Sequence, residues 1–293
     1  MKNFKISDYK VSSGTSFDLK TYKTEIPNLY KDKSDYKKIL KKIKKENNDL
    51  QDILYAHDKY SLLLIFQAMD AAGKDSTIKH VLSGMNPVGI SCSSFKKPSD
   101  KELDHDFLWR TTKELPRRGN IKVFNRSYYE EVLVVKVHKD ILTKYQKIPK
   151  ENISNLATTW KNRYQSIKNF EAHLDVNGTK TIKFFLNISK KEQKKRFLRR
   201  INLEEKNWKF SSGDLVERKL WTQYSKAYAE AIKNSATSHC PWYVIPADDK
   251  PNMRLIVAKI INIHLKKLSM QYPQVNKVQL QELQKSKTLL LNE

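Results

Sequence analysis

Cysteine and glycine are scarce in this chain of 293 residues, and long apolar runs are absent. The two cysteines, Cys92 and Cys240, exclude a disulfide framework and an all-cysteine zinc site, and they indicate a reducing compartment. The longest strongly apolar run, Leu62 to Phe66, is far shorter than the roughly 20 residues that span a bilayer, and the N-terminus resembles no signal peptide. We therefore expect a cytoplasmic protein with no membrane partner.

Acidic residues are too few to balance the basic ones. The chain has 56 lysines and arginines against 32 aspartates and glutamates, which gives a formal net charge of +24. A content of 39% hydrophobic residues is too high for a disordered polycation, so a normal core within a strongly charged surface is expected. The excess charge indicates a polyanionic partner, and nucleic acid is the first class to consider.

Four short apolar runs alternate with longer stretches of helical periodicity. This alternation predicts an α/β fold in which crossover helices connect the strands of a parallel sheet. Residues 1–34 read as a loose basic arm, 35–270 as one domain and 271–293 as a polar C-terminal extension. The predicted strands are Ser61–Gln67, Ile121–Phe124, Thr181–Ile188 and Trp242–Ile245, and the predicted helices cover residues 35–52, 76–83, 99–115, 128–138, 151–173, 189–202, 214–234 and 252–268.

The first predicted strand runs into a turn of small residues that contains a Gly-Lys pair. Backbone N–H groups at such a strand-to-helix turn hold anionic oxygens, and a lysine in the first helical turn reaches a terminal phosphate. The match to the pattern G-x-x-x-x-G-K-[ST] is imperfect, because Ala68 replaces the first glycine and Asp75 replaces the hydroxyl residue. The candidate phosphate-binding residues are Ala71, Ala72, Gly73, Lys74, Asp75 and Ser76, which follow Asp70.

The second predicted strand ends in another group of polar residues. Asn125 and Arg126 follow this strand directly, and Glu130 lies one helical turn further on. Ligands bind at the carboxyl edge of parallel sheets, and the planar guanidinium of an arginine suits a transferring phosphoryl group. The alternative is that Asn125 or Ser127 only caps the helix.

The segment Lys190–Arg200 has seven basic residues and one acidic residue in 11 positions. Such runs are usually solvated helix faces. However, Arg196 and Arg200 are four residues apart and share one face of the predicted helix. A basic lid in this position, covering about residues 190–215, would neutralise charge on phosphates.

Other candidates have weaker signals. Lys96, Asp104 and Tyr128 are candidate nucleotide contacts near the carboxyl edge of the sheet. His105 reads as an exposed helix residue rather than a metal ligand. The aromatic stripe of Trp221, Tyr224 and Tyr228 is interpreted as packing rather than as a platform for a base.

Taken together, these residues resemble the polyphosphate kinase 2 family, in particular its branch that accepts both nucleoside mono- and diphosphates. The resemblance covers roughly residues 30–270. Asn125 combined with Glu130 is similar to the dual-substrate branch, since many members have aspartate and asparagine at these positions. The matching stretches are FQAMDAAGKDSTIKHVLSGMNPVG (66–89), SSFKKPSDKELDHDFLWR (93–110), VFNRSYYEEVLVVKVH (123–138), KKRFLRRI (194–201), NWKFSSGDL (207–215) and PWYVIPADDK (241–250).

The resemblance implies a P-loop kinase-like three-layer sandwich with a helical lid. It implies that Asp70 and Lys74 are the loop aspartate and lysine, that Arg126 is the catalytic arginine, and that Arg196 and Arg200 belong to the lid. Asp70 and Glu130 are the candidate ligands of Mg²⁺, or of Mn²⁺ in its place. Family members commonly assemble as dimers or tetramers, so a homo-oligomer is expected.

The implied reaction transfers the terminal phosphoryl group of inorganic polyphosphate to ADP and AMP, reversibly, with ATP as the chief product. Two other readings stay open at this point. One is an ATP-dependent nucleoside or nucleoside-monophosphate kinase, which would share the sheet, the loop and the lid. The other is a non-enzymatic nucleic-acid-binding protein, against which the position of the basic residues beside a phosphate loop argues.

Overall fold

A single sheet of six strands forms the centre of the protein in the computed structural model, which describes residue 1 and residues 3–293. The strand order is β1-β6-β5-β2-β4-β3, and every neighbouring pair is parallel except β1 with β6. The strands are β1 (Lys10–Val11), β2 (Ser61–Ala68), β3 (Ile90–Ser94), β4 (Ile121–Asn125), β5 (Thr179–Asn187) and β6 (Trp242–Pro246).

The four strands predicted from apolar runs are confirmed as β2, β4, β5 and β6. Strands buried on both faces read as continuous apolar runs, and all eight residues of β2 are buried. The other two strands lie at the edges of the sheet. The sequence of β3, ISCSS, is largely exposed, and β1 has two residues, so neither produces a detectable apolar run.

Helices cover both faces of the sheet. Helices α1, α2 and α12 pack on one face, while α7 and α11 pack on the other, so the fold is a three-layer sandwich. The predicted α/β class is confirmed. The helices are α1 (Lys33–His57), α2 (Lys74–Leu82), α3 (Asp100–Leu103), α4 (Trp109–Thr112), α5 (Val134–Val137), α6 (Lys150–Ile153), α7 (Leu156–Val176), α8 (Lys190–Asn202), α9 (Glu204–Asn207), α10 (Ser212–Lys219), α11 (Trp221–Ser235), α12 (Lys250–Lys267) and α13 (Lys277–Leu291).

Four of the predicted helices are interrupted. The segment 151–173 divides into α6 and α7 at residues 154 and 155. The segment 99–115 contains the short helices α3 and α4, because the Asp106 side chain accepts a hydrogen bond from the Leu108 amide and turns the chain between them. The segment 128–138 begins as a 3₁₀ helix, Tyr128–Val132, and leaves helical geometry at Leu133 before α5. The segment 214–234 divides into α10 and α11 at Leu220.

The N-terminal arm is packed against the domain rather than loose. Tyr9, Val11 and Leu29 are buried, and β1 pairs with the edge of β6. By contrast, α13 has no buried residue. In the described part of the chain, no helix combines the length and the apolar character that crossing a membrane requires.

Candidate functional site

The turn between β2 and α2 has the backbone of an anion-binding loop. Gly73 precedes α2 with a φ of 103°, and Ala71 is also left-handed, with a φ of 60°. An alanine is rarely found in this region, and such strained residues cluster at ligand-binding sites. The positive end of α2, a helix of nine residues, lies at the same place. The turn therefore suits a negatively charged group.

Lys74 is the first residue of α2 and directly follows this turn. Its ammonium group donates a hydrogen bond to the Ala68 carbonyl at 2.9 Å. Burial lowers the pKa of Lys74, and the neighbouring positive charge of Arg126 adds to this effect. A phosphate group approaching the loop would supply the negative charge that favours the ammonium form.

The end of β4 faces the phosphate loop across the sheet edge. Arg126 has a left-handed backbone with a φ of 65°, and its guanidinium contacts the Asp70 carboxylate at 3.2 Å. The Asn125 side chain donates a hydrogen bond to Asp75 at 2.7 Å. The parallel register therefore brings together the residues predicted after β2 and after β4.

Glu130 completes this group from the 3₁₀ helix that follows β4. Burial raises its pKa, while Arg126 and Lys74 act in the opposite direction. Its carboxylate accepts a hydrogen bond from Gln67 at 2.9 Å in the amide orientation that satisfies both ends of that side chain. Glu130 is thus half-buried and lies close to two cations.

A buried ion pair lies beneath the segment that contains Arg126 and Glu130. Lys183 of β5 contacts Glu171 of α7 at 2.6 Å, and both side chains are fully buried. The Glu171 carboxylate also accepts hydrogen bonds from Tyr128 at 2.9 Å and from Tyr129 at 2.8 Å. These bonds attach the residues beside Arg126 and Glu130 to the core.

Two cavities meet at Asp70 and Arg126, which line both of them. The first, called here the basic cavity, has a volume of about 480 Å³ and contains the phosphate loop. The second, called here the aromatic cavity, has a volume of about 220 Å³ and includes Glu130. The other cationic residues of the basic cavity are Lys74, Lys96, Lys97, Arg200 and Lys209, and the aromatic side chains of the aromatic cavity are Trp221, Tyr224 and Tyr228.

The two predicted lid arginines occupy different positions. Arg200 lines the basic cavity, where its guanidinium contacts Asp214 at 3.3 Å. Arg196 is only 7% exposed, and its guanidinium binds backbone carbonyls of the phosphate loop instead of pointing into the cavity. In this structure, therefore, only Arg200 of the pair lines the basic cavity.

The three candidate nucleotide contacts are not brought together. Lys96 lines the basic cavity. Asp104 lies on a separate cavity, where it pairs with Lys147. Tyr128 is buried, and its hydroxyl is bound to Glu171. The separation arises because β4 ends in a 3₁₀ turn that directs Tyr128 inward, while α3 carries Asp104 away from the sheet edge.

Several residues of the site have no clear signal in the sequence. Trp221 and Tyr224 line the aromatic cavity, although their spacing resembles an ordinary packing stripe. The packing interpretation does fit Tyr228, which is buried and stacks on Phe185 with ring centroids 4.5 Å apart. Glu217 also lines this cavity, where its carboxylate accepts a hydrogen bond from Tyr224 at 2.6 Å.

The carboxylates of the site suit a hard divalent cation that binds together with substrate. Among the described residues, no group of three or more histidine, cysteine, aspartate or glutamate side chains could hold a metal by itself. Asp70 and Glu130, however, line the same cavity. Mg²⁺ is commonly held by one or two carboxylates, with phosphate oxygens and water as the other ligands. This donor set therefore fits Mg²⁺ bound to a phosphate substrate.

The fold and the site define a phosphate-loop kinase with an adjoining helical segment, α8 to α10. The sequence profile of the family "Polyphosphate kinase 2 (PPK2)" matches residues 30–274. The ADP-polyphosphate phosphotransferase of Rhodopseudomonas palustris is 49% identical over 98% of this chain and 99% of its own length. The AMP/ADP-polyphosphate phosphotransferase of Meiothermus ruber is 40% identical over 91% of this chain and 95% of its own length.

A solved structure agrees with these matches. The crystal structure of polyphosphate kinase 2 from Arthrobacter aurescens superposes with a TM-score of 0.86 at 35% identity, covering 96% of this chain and 95% of the other. The chain belongs to the polyphosphate kinase 2 family. The resemblance found in the sequence and the P-loop kinase-like fold are thereby confirmed.

Proposed function

We propose that this protein transfers the terminal phosphoryl group of inorganic polyphosphate to ADP and AMP, so that ATP is the chief product and the reaction is reversible. The observation that supports this proposal most directly is the meeting of a basic cavity and an aromatic cavity at Asp70 and Arg126. A polyanionic donor and a nucleotide acceptor need two such compartments with a shared reacting point. The names of the relatives from Rhodopseudomonas palustris and Meiothermus ruber support the same substrates.

The basic cavity would hold the polyphosphate. A linear polyphosphate carries negative charge along its whole length, and a row of lysines and arginines neutralises it. Lys74 and the loop amides would bind phosphates next to the transferred group, while Arg200 lies further along the cavity. This arrangement explains part of the net charge of +24.

The aromatic cavity would hold the nucleoside of the acceptor. Trp221 and Tyr224 offer aromatic faces on which a base can stack. Glu130 lines this cavity and its charge acts on Lys74, so it would fix the position of the shorter acceptor, AMP. In this assignment the terminal phosphate of ADP or AMP reaches Asp70 and Arg126.

The transfer itself would depend on position and charge. An oxygen of the acceptor's terminal phosphate attacks the terminal phosphorus of the polyphosphate, and the bond to the next phosphate breaks, so the chain leaves one unit shorter. Lys74 and Arg126 neutralise charge on the transferred group, and Asp70 orients the acceptor. Mg²⁺ or Mn²⁺, held by Asp70 and Glu130, would neutralise phosphate charge.

The proposal is tested by replacing Lys74 with alanine. ATP formation from ADP and polyphosphate, measured with luciferase, should fall by about 100-fold, because an oxyanion-binding donor contributes roughly this much. Lys79→Ala is the matched control, since Lys79 is exposed on the same helix, and it should keep the wild-type rate.

A Lys74→Ala protein with the wild-type rate would refute the assignment of the loop. The same assay run with ATP and a nucleoside tests the rival kinase: activity with that pair and none with polyphosphate would replace the proposal. Parallel reactions with AMP as acceptor test the dual substrate range.

The expected homo-oligomer, a dimer or a tetramer, stays a prediction, and light scattering of the purified protein would test it. The cytoplasmic location likewise stays a prediction from composition, as does the assignment of residues 35–270 to the catalytic domain with a lid at about 190–215.

A further inference from the structure

Arg196 of α8 uses all of its hydrogen-bonding capacity within the protein. A guanidinium group has five N–H donors. The structure shows five hydrogen bonds from this side chain, one to a neighbouring carboxylate and four to backbone carbonyls. Nε donates to Glu192 at 2.9 Å, Nη1 to Ala71 at 3.2 Å and Ala72 at 2.6 Å, and Nη2 to Ala247 at 2.6 Å and Asp248 at 3.1 Å.

A second residue of the same helix face contacts the phosphate loop in the same way. The side-chain amide of Gln193 donates a hydrogen bond to the Asp70 carbonyl at 2.9 Å. Arg196 and Gln193 together therefore bind the carbonyls of three consecutive loop residues, Asp70 to Ala72. The loop carbonyls are thus turned toward α8.

The orientation of these carbonyls determines where the loop N–H groups point. The described peptide bonds are all trans, and in a planar trans peptide the N–H points away from the carbonyl of the preceding residue. The N–H groups of Ala71 and Gly73 therefore point away from α8. Both residues line the basic cavity. These amides are consequently directed to the side on which phosphates would bind.

The loop needs such support, because its backbone is strained. Ala71 has a φ of 60°, a conformation that L-residues avoid. The guanidinium of Arg196 contacts the carbonyl of this residue and that of the next. Lysine could not replace it, since a single ammonium group offers three donors without the planar geometry that serves five acceptors.

We infer that Arg196 and Gln193 are positioning residues that hold the phosphate loop in its anion-binding conformation, and that Arg196 does not itself bind phosphate. The inference rests on the proposed function and changes the role that the sequence predicted for Arg196. It assigns the first turns of α8 to the support of the loop and leaves the direct phosphate contact to Arg200.

The test compares Arg196→Lys and Arg196→Gln with the control Lys191→Gln, which removes an exposed charge from the same helix. We expect both Arg196 variants to lower kcat with ADP and polyphosphate by about 100-fold, because small displacements of binding groups have effects of this size. The slope of polyphosphate affinity against salt concentration should equal that of the control in both variants, since no phosphate contact is lost.

A direct phosphate contact by Arg196 would give a different result. If Arg196 binds phosphate directly, Arg196→Gln lowers the salt slope by roughly one relative to the control, and Arg196→Lys keeps most of the activity. That pattern would overturn the inference. Circular dichroism shows whether each variant is folded.

Gln193→Leu provides a second test if the Arg196 variants do not fold. Gln193 is neutral, so its loss removes no cation that could pair with phosphate, and we expect a lower kcat with an unchanged salt slope. A wild-type kcat in this variant would overturn the inference. Polyphosphate binding is measured without turnover. A wild-type protein that binds polyphosphate but forms no ATP would refute the proposed function. In that case the salt slopes would still decide the role of Arg196.

Discussion

The ion pair between Lys183 and Glu171 permits a quantitative prediction about stability. Both side chains are fully buried, 2.6 Å apart, and Lys183 also donates hydrogen bonds to Tyr129 at 3.0 Å and to the Ser235 carbonyl at 2.9 Å. Lys183→Met keeps a side chain of similar volume but leaves the Glu171 carboxylate without its cation. Removal of one partner of a buried pair typically costs about 3–5 kcal/mol.

We expect a value near the lower end, about 3 kcal/mol, because Tyr128 and Tyr129 continue to donate hydrogen bonds to the carboxylate. A double variant, Lys183→Met with Glu171→Gln, removes both charges. It should be more stable than Lys183→Met alone, since the unpaired charge is the main cause of the loss.

Urea unfolding followed by circular dichroism measures these differences, provided that the m value is unchanged between variants. Lys180→Met is the matched control on the same strand. Lys180 contacts Asp175 at 2.7 Å, but the pair is partly exposed, so its loss should cost less than about 1 kcal/mol. The reasoning is refuted if Lys183→Met costs no more than Lys180→Met, or if the double variant is no more stable than Lys183→Met.

Three further changes test other parts of the structure. A methyl group on Gly14 would clash with the backbone carbonyl of Lys233, so Gly14→Ala should displace the arm and lower the free energy of unfolding by about 2 kcal/mol, measured with urea. Burial lowers the pKa of His264 to about 4, below its ordinary value of 6.5, and nearby lysines add to the shift. At pH values between about 4 and 6.5, the unfolded chain therefore binds more protons than the folded protein, and stability is lost as the pH falls through this range. His264→Gln should reduce this loss by about 3 kcal/mol, measured by urea unfolding at each pH. Removal of residues 277–293 should leave the melting temperature and the phosphotransferase rate unchanged, because α13 has no buried residue.

Each of these changes has a control or an opposing outcome. Gly213→Ala is the control for Gly14→Ala, because the methyl group added at Gly213 makes only an ordinary contact at 3.4 Å and alanine favours the helix. A Gly14→Ala protein as stable as Gly213→Ala would contradict the clash. If His264→Gln loses as much stability as the wild-type protein when the pH falls, other groups cause that loss. A lower melting temperature after truncation would show that α13 is part of the folded domain.

The central strands and the phosphate loop could be predicted from the sequence because their signals are local. A strand buried on both faces is a short apolar run, as in Leu62 to Phe66, and a Gly-Lys pair directly after it predicts an anion site. The edge strand β3 gave no such signal, since its residues face solvent.

The meeting of Asp70 with Arg126 also follows from local information, because the carboxyl ends of parallel strands lie at one edge of the sheet. The partners of the other site residues do not follow in this way. Trp221 and Tyr224 line a cavity, while Tyr128 is buried in the core. The sequence spacing of these aromatic residues is compatible with either position.

The sequence by itself determined the four central strands, the position of the phosphate loop and the excess of cations, since each depends on neighbouring residues or on composition. The tertiary structure alone decided which cations line the basic cavity. Arg196 and Arg200 are equivalent in spacing and charge, yet one is held by backbone carbonyls from two distant loops and the other lines the basic cavity. A hydrogen-bonding partner more than 50 residues away has no local signature, so the role of Arg196 depends on the assembled fold.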